Sequence, residues 1–345
     1  MPRPELQIAD RTIGSAHRPL VIAEVGINHD GDFDRAVRMF RDVAEAGGEC
    51  VKIQSHVVDD EMIPNDVIPG NADEPIWDMM KRCALSPDME RELKSVAEGL
   101  GLIFLSTPFS RAAAENLDAM NVAAFKVGSG ECNNYPLVDH IASLGRPMIV
   151  STGMNDLPSI APTVAILRRR RVPFALLHCT SLYPTPYEHV RLGALAQMAA
   201  AFPDAVLGLS DHSPSIFPLL GAVSLGASVL ERHFTSDAEW EGPDVPVSMT
   251  PDQLQLLAEG ADAIHASLGG AKEILAEEQP TIDFAYASVV TIAPVAAGEE
   301  LTRTNLWVKR PGTGEIRAAD YERVLGRRAA TAMPADAQVR WQDLS

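Results

Sequence analysis

The 345-residue sequence has little cysteine, no long apolar run and a shortage of positive charge, and each scarcity removes a class of explanation. Its four cysteines (Cys50, Cys83, Cys132, Cys179) form no CxxC pair and show no metal-finger spacing. Each lies near an apolar run, so they read as buried free thiols of a reducing compartment rather than as a disulfide framework. The opening stretch MPRPELQIADRTIG lacks the apolar core of a signal peptide. No stretch approaches the ~20 apolar residues that cross a bilayer. A cytoplasmic protein is expected. Lys and Arg number 29 against 47 Asp and Glu, a net charge of −18 that repels nucleic acid and anionic membrane surfaces. Neither is expected as a partner, and basic groups that hold an anionic substrate must be locally concentrated. Glycine-rich phosphate loops are missing too. GINHDGD is not GxGxxG, and the GTG at Gly312–Gly314 reads as a turn, with no GK[ST] after it. No internal repeat or low-complexity segment occurs. The one charge run, Arg168–Arg171, ends a predicted helix, where cations favour the helix dipole.

What is there is patterned. A hydrophobic fraction of 46% with 22% charged residues suits a globular protein. Short apolar, β-branched runs predict strands at Val21–Ile27, Cys50–Ser55, Leu102–Thr107, Ala123–Gly128, Pro147–Thr152, Phe174–Thr180, Ala205–Ser210 and Val229–Phe234. Amphipathic stretches between them predict helices at Asp34–Ala46, Pro87–Gly99, Arg111–Met120, Pro158–Arg170 and Leu192–Ala201. Eight strands alternating with helices over ~250 residues indicate a (β/α)8 TIM barrel rather than a doubly wound sheet. The Glu-, Pro- and Ala-rich stretch after it reads as a linker. The expected organisation is a barrel over 1–270, a linker over 271–284 and a small α+β module over 285–345. In that module Ala287–Ile292 and NLWVKR read as strands, YERVLGRRA carries a short helix, and VRWQ is a last strand.

In a barrel the carboxyl ends of the strands line the active site. Here they read AEVGINHD, VKIQS, STP, FKVGSGE, VSTG, LHCTSLYP, GLSDH and LERHF. Residues two apart on a strand share a side, as Lys52 does with Gln54, Ser210 with His212, and Glu231 with His233. Ionisable side chains on the inward side are costly unless paired or facing a site. Lys52 and Lys126, with the hydroxyls of Ser129, Ser151 and Ser210, offer charges and donors for a phosphate and a carboxylate. Either lysine alone is as readily a salt-bridge partner inside the barrel. Gly128, Gly130 and Gly153 let backbone N–H groups approach an anion. His212 and His233, at neighbouring strand tips, can converge on one divalent ion, with Glu24 or Glu231 adding a ligand or orienting one. Mn2+, Mg2+, Co2+ and Zn2+ all suit two imidazoles with oxygen ligands. His29 and His56 are weaker candidates for substrate contacts.

In the combination IAEVGINHDGD, VIPGNAD, STPFSRAAA, FKVGSGECNNYP, STGMN, LHCTSLYPTPYE, GLSDH, ERHFT, GPD and NLWVKRPGTG, the chain resembles the sialic acid synthase family, most of all its bacterial N-acetylneuraminate synthases. The likeness runs from about Leu20 to the C-terminus. It implies a TIM barrel closed by an antifreeze-protein-like (SAF) domain, and a metal-dependent condensation of phosphoenolpyruvate with an N-acyl amino sugar. By the resemblance, phosphoenolpyruvate is bound by Lys52, Lys126, Ser129, Ser151, Ser181 and Ser210. His212 and His233 hold the metal, usually Mn2+. Glu131 handles protons and Glu24 lies beside the reacting centre. The sugar is contacted by Gln54, Asn71, Tyr183, Asp244 and Arg310, the last reaching in from the partner of a domain-swapped dimer.

The sequence departs from the family pattern at three places. Ser181 stands where relatives carry Asn, removing one reach toward phosphate. Strand two reads KIQSH where relatives carry KxQTH. The loop SDAEWEG differs from the usual Asp/Arg-bearing version. The implied product is N-acetylneuraminate made from N-acetylmannosamine. The alternatives are a legionaminate or pseudaminate synthase using a diacylated deoxy-aminohexose, a phosphorylated acceptor, a metal-dependent aldolase acting on pyruvate, and a non-catalytic sugar-acid binder.

Overall fold

The computed structural model describes residues 4–345. The chain divides into two compact units, Met1–Gly269 and Gly270–Ser345. The first opens with an antiparallel hairpin, β1 (Glu5–Ile8) and β2 (Arg11–Gly14). Eight parallel strands follow: β3 (Leu20–Gly26), β4 (Cys50–Ser55), β5 (Ile103–Pro108), β6 (Phe125–Val127), β7 (Met148–Ser151), β8 (Phe174–Cys179), β9 (Val206–Ser210) and β10 (Val229–His233). They pair in chain order and close when β10 pairs with β3.

Alternation of side chains sorts each strand into two faces. Val51, Ile53, Phe104, Val150 and Leu209 point outward and pack under the helices. Ile22, Cys50, Leu105, Ile149, Leu177 and Val229 fill the interior, and Leu6, Ile8 and Ile13 of the hairpin pack with them. One step further along each strand the interior turns polar. Most barrel strands therefore carry an apolar inner residue below and a candidate functional residue above, the exceptions being β5 with Thr107 and β8 with Cys179. All four cysteines are free and buried.

The helices start where side chains satisfy orphan backbone donors. Asp32, Ser86, Ser110, Asn134 and Asp156 each accept from a backbone N–H two or three residues into a helix. Helices Phe33–Glu45, Pro87–Gly99, Arg111–Ala119, Leu157–Arg170 and Ala194–Ala201 lie where periodicity placed them, within about two residues. Arg168 pairs with Asp204, and Arg169 and Arg170 with Asp139, so the charge run is tied down rather than merely solvated.

Behind the wall, helix Pro87–Gly99 buries Glu90, whose Oε2 accepts from Ser55 Oγ at 2.8 Å. Burial pushes this carboxyl up to about 7, against the opposing Ser55 hydrogen bond. An acid with a raised folded pKa lends stability below its unfolded value, about 4.5, and loses it as pH rises through about 7. The loss is on the order of 3 kcal/mol at most. Glu90→Gln keeps an acceptor for Ser55 and cannot ionise. Thermal melts at pH 5 and pH 8 should show the wild type falling more steeply than this variant; equal slopes would contradict the assignment.

The second unit holds β11 (Ser288–Thr291) paired antiparallel with β12 (Leu306–Lys309), a short helix at Tyr321–Val324 and its own core of Val289, Leu301, Leu306, Ile316, Val324 and Val339. Two expectations fail here. The stretch read as a linker carries a helix, Gln279–Ala285, since Gln-Pro opens a first turn that needs no proline N–H. VRWQ is no strand: Trp341–Asp343 is a 3-10 turn closed by the Arg340–Asp343 ion pair, and the preceding Gln338 makes a single bridge to β11.

Candidate active site

At the carboxyl mouth of the barrel lies a cavity of about 310 Å3. It is lined by Glu24, Lys52, Gln54, Lys126, Ser129, Ser151, Ser181, Tyr183, Ser210, His212 and His233, and also by Glu231, Thr107, Phe109, Met154 and Cys179. The register explains the gathering: His233 lies beside Glu24 and Glu24 beside Lys52 across β10, β3 and β4, while Glu231 lies beside Ser210.

Both lysines are buried, and each finds carboxylates. Lys52 Nζ contacts Glu24, donates to Thr107 Oγ1 at 3.0 Å and lies 3.9 Å from Glu231. Lys126 Nζ donates to Ser151 Oγ at 2.7 Å and to the Val127 carbonyl at 3.0 Å, and lies 3.5 Å from Glu231. Glu231 thus stands between the two ammonium groups. Burial opposes the charge on Lys52, but Glu231 and Glu24 outweigh it and its pKa rises. For Lys126 burial prevails and the pKa falls, with Lys52 adding to the depression and Glu231 opposing it. Burial also works against the Glu231 carboxylate, yet the two lysines hold it below the usual range. The cluster sets two amino groups against two carboxyl groups. Glu231 Oε2, 3.9 Å from Lys52, has no hydrogen-bond partner.

Beside the lysines, Ser129 Oγ accepts from the Gly153 N–H at 3.0 Å. A Cβ at Gly153 would collide with Ser181 Oγ and Ser129 Oγ. Glycine there lets the Ser129 and Ser181 hydroxyls close on one point beside the lysines. Glu131 follows the lining residues Ser129 and Gly130 but is not itself among them; it is half-buried, and its Oε2 accepts from Asn134 Nδ2 at 2.6 Å. Burial raises its pKa despite that bond, which suits a group that takes and returns protons.

On the opposite side His212 and His233 present rings with centroids 5.4 Å apart, and Tyr183 lies over His212 at 4.2 Å. Nδ1 of His212 lies 3.2 Å from the Thr180 carbonyl, which fixes that nitrogen as a donor and leaves Nε2 to ligate. Burial lowers the pKa of His233 to about 3, with His212 adding to the effect. His233 is therefore neutral, and its 3.7 Å approach to Asp244 is not an ion pair. Burial raises Asp244 to about 6, opposed by His212.

These residues fit a divalent ion. His233 Nδ1 is buried without a hydrogen-bond partner. Gly26 has φ +56° and a Cβ there would press on His233 Nδ1 and Glu24 Oε1, so glycine keeps the space beside that nitrogen open. Among the described residues no three His, Cys, Asp or Glu side chains form a metal-holding group. Two imidazoles would be the protein's whole donor set, the other positions falling to water and substrate.

Asp244, although 3.7 Å from His233, is not among the lining residues, and the remaining candidates also lie apart from them. Asn71 donates to the Pro243 carbonyl at 3.2 Å and lines a neighbouring cavity of about 520 Å3 with Asp30, Glu74, Arg82 and Glu241. Arg310 belongs to the second unit, where it is exposed just beyond β12. His56 does not line the cavity; it stacks on Phe109 at 4.7 Å and joins Glu61, at 2.8 Å, to Gln54, at 3.2 Å. Sequence reading missed Thr107 and Cys179 as lining residues, although both hold the inward position at a strand tip that flagged the others. Asn28 holds the loop after β10, donating to the Phe234 carbonyl and Ser248 Oγ, rather than facing the cavity.

The sequence pattern of the NeuB family matches residues 21–273, and that of the SAF domain matches residues 286–345. N,N'-diacetyllegionaminic acid synthase of Campylobacter jejuni is 34% identical over 333 residues, covering 94% of this chain and 99% of that protein. N-acetylneuraminate-9-phosphate synthase of Mus musculus is 34% identical over 305 residues, covering 87% and 85%. The crystal structure of N-acetylneuraminic acid synthetase from Leptospira borgpetersenii superposes with a TM-score of 0.74 at 29% identity, over 81% of this chain and 95% of that one.

Proposed function

Because this chain belongs to the NeuB family, we propose that it condenses phosphoenolpyruvate with N-acetylmannosamine and water, giving N-acetylneuraminate and inorganic phosphate. The observation that carries this reading is a pair of buried lysines and a cluster of small donors facing two imidazoles across one cavity. Such a site takes a doubly anionic small molecule on one side and a polar acceptor on the other.

Lys52 and Lys126 exchange part of their pairing with Glu24 and Glu231 for the carboxylate and phosphate of phosphoenolpyruvate. Ser129, Ser151, Ser181 and Ser210 supply hydrogen bonds. C3 of phosphoenolpyruvate attacks the aldehyde carbon of the open-chain sugar, and water adds at C2. The resulting tetrahedral species expels phosphate by breaking the C2–O bond. Glu131 moves protons at these steps, Glu24 stands beside the aldehyde, and Gln54, Tyr183, Asn71 and Asp244 orient the sugar. A divalent ion on His212 and His233, Mn2+ in the first instance, would supply Lewis-acid stabilisation of the developing alkoxide.

The neighbouring cavity bears on the acceptor. Asp30, Asp73, Glu74 and Glu241 face it against one cation, Arg82, which already pairs with Asp30 and Glu74. An acidic wall with a neutralised arginine disfavours a phosphorylated sugar and favours an uncharged one. A second reading keeps the chemistry and changes the sugar to a diacylated deoxy-aminohexose. The full-length likeness to the legionaminic acid synthase favours it. Phosphate release measured in parallel with N-acetylmannosamine, its 6-phosphate and the diacylated sugar separates these. Turnover with the first supports the proposal, turnover with the third alone moves the assignment to a legionaminate-type synthase, and preference for the phosphosugar contradicts both.

The dimer belongs to the same proposal: Arg310 of one subunit reaches the acyl group of the sugar in its partner. Arg310→Ala should then raise the KM of the acceptor at least about tenfold and leave that of phosphoenolpyruvate within about twofold. Equal changes in both would argue against this role.

A further inference from the structure

The residue before each imidazole faces the other way. His212 and His233 turn into the barrel, so Asp211 and Arg232 fall on the outer side, where the flanking positions Leu209 and Leu230 belong to the apolar layer under the helices. There the two meet. Arg232 Nη1 donates to Asp211 Oδ2 at 2.8 Å, with side chains 3% and 2% exposed. The remaining contacts tighten one loop: Arg232 donates to the carbonyls of Ser213 and Ser215, at 2.5 Å and 3.2 Å. Asp211 accepts from the Ser213 N–H at 3.2 Å and the Ser213 hydroxyl at 2.7 Å. The buried pair thus ties the tip of β10 to the tip of β9 and to the loop that carries His212 onward.

An ion pair is a poor way to fill this layer. Well-packed apolar side chains in place of a buried pair are often neutral or stabilising. What charge adds is direction and fixed length, and the two backbone points it joins are the ones next to the two imidazoles. We propose that Asp211 and Arg232 are a positioning pair that sets the spacing and orientation of His212 and His233. The inference rests on reading those rings as joint ligands of one divalent ion, and its test separates the two ideas.

The double variant Asp211→Asn/Arg232→Met removes both charges, leaving neither alone in the interior. In the full-length protein it should keep a cooperative thermal transition and bind phosphoenolpyruvate within about twofold of the wild type, since no hydrogen bond joins the pair to either lysine. Mn2+ affinity, read from the electron paramagnetic resonance signal of free ion, should weaken by about 10–100-fold, the range typical of outer partners of metal ligands. Unchanged Mn2+ affinity in the folded variant overturns the proposal. If the wild type itself binds no Mn2+, the metal reading fails. The pair is then judged by the variant's crystal structure: rings still 5.4 Å apart overturn it, and displaced rings support it. Should the double variant not fold, Arg232→Lys, which keeps the charge and loses the carbonyl contacts, takes its place in both measurements, and the same results support or overturn the pair.

Discussion

Replacing Lys126 with Met is expected to lower kcat/KM for phosphoenolpyruvate by about 10²–10³-fold, the largest effect of any single substitution on the anion side of the cavity. The side chain is 2% exposed in the wall of the cavity, and methionine there leaves no charge to face the substrate. Its donors are committed to Ser151 and the Val127 carbonyl, which aims the charge at one place. Removing it does two things. The substrate loses one of two cations that neutralise it, and Glu231 is left with Lys52 alone at 3.9 Å. Truncating one partner of a buried, hydrogen-bonded charge pair costs about 2–5 kcal/mol, and that cost falls on every state in which the substrate is held. The signature is therefore a raised KM for phosphoenolpyruvate with kcat changed much less. Initial rates across a range of phosphoenolpyruvate concentrations check it. A change confined to the acceptor's KM would remove Lys126 from the anion site.

The second large effect is expected on the other wall. His212→Ala should reduce Mn2+-supported turnover by about 10³-fold, comparable to losing the several kcal/mol of charge stabilisation that a metal contributes. The reason is the thinness of the donor set: with no group of three metal-binding side chains among the described residues, His212 is half of what the protein provides. Tyr183 lies against the same ring, so its loss also loosens the acceptor's side of the cavity. Chelation of the wild type with EDTA should reproduce the loss and added Mn2+ should reverse it, while the variant should not respond to Mn2+. Full activity in His212→Ala, or equal Mn2+ stimulation of both proteins, would contradict the metal assignment.

Much of this was legible because the barrel writes its inner face into every second residue. Cys50–Ser55 and Pro87–Gly99 have the same bounds in sequence and structure. Lys52, Lys126, His212 and His233 stood out as polar side chains where Ile22, Cys50 and Leu105 set the rule one layer below. Other features left weaker marks. Helix Phe217–Ser224 is apolar over much of its circumference and shows no strong stripe. The hairpin β1–β2 has strands of four residues, too short for periodicity to separate from an irregular leader. The role of Glu231 as the charge between both lysines depends on strands β4, β6 and β10 meeting in space, which no local pattern records. The same holds for Asp211 and Arg232, 21 residues apart and joined only when the sheet closes.

The central claim is that this cavity joins phosphoenolpyruvate to a sugar by breaking the carbon–oxygen bond. It is tested most directly with phosphoenolpyruvate carrying ¹⁸O in the bridging position, incubated with the protein, Mn2+ and N-acetylmannosamine, with both products weighed by mass spectrometry. The account predicts that the label leaves with inorganic phosphate and that a nine-carbon acid appears without it. Label retained in the sugar acid, or phosphate released with no new carbon–carbon bond, would contradict it.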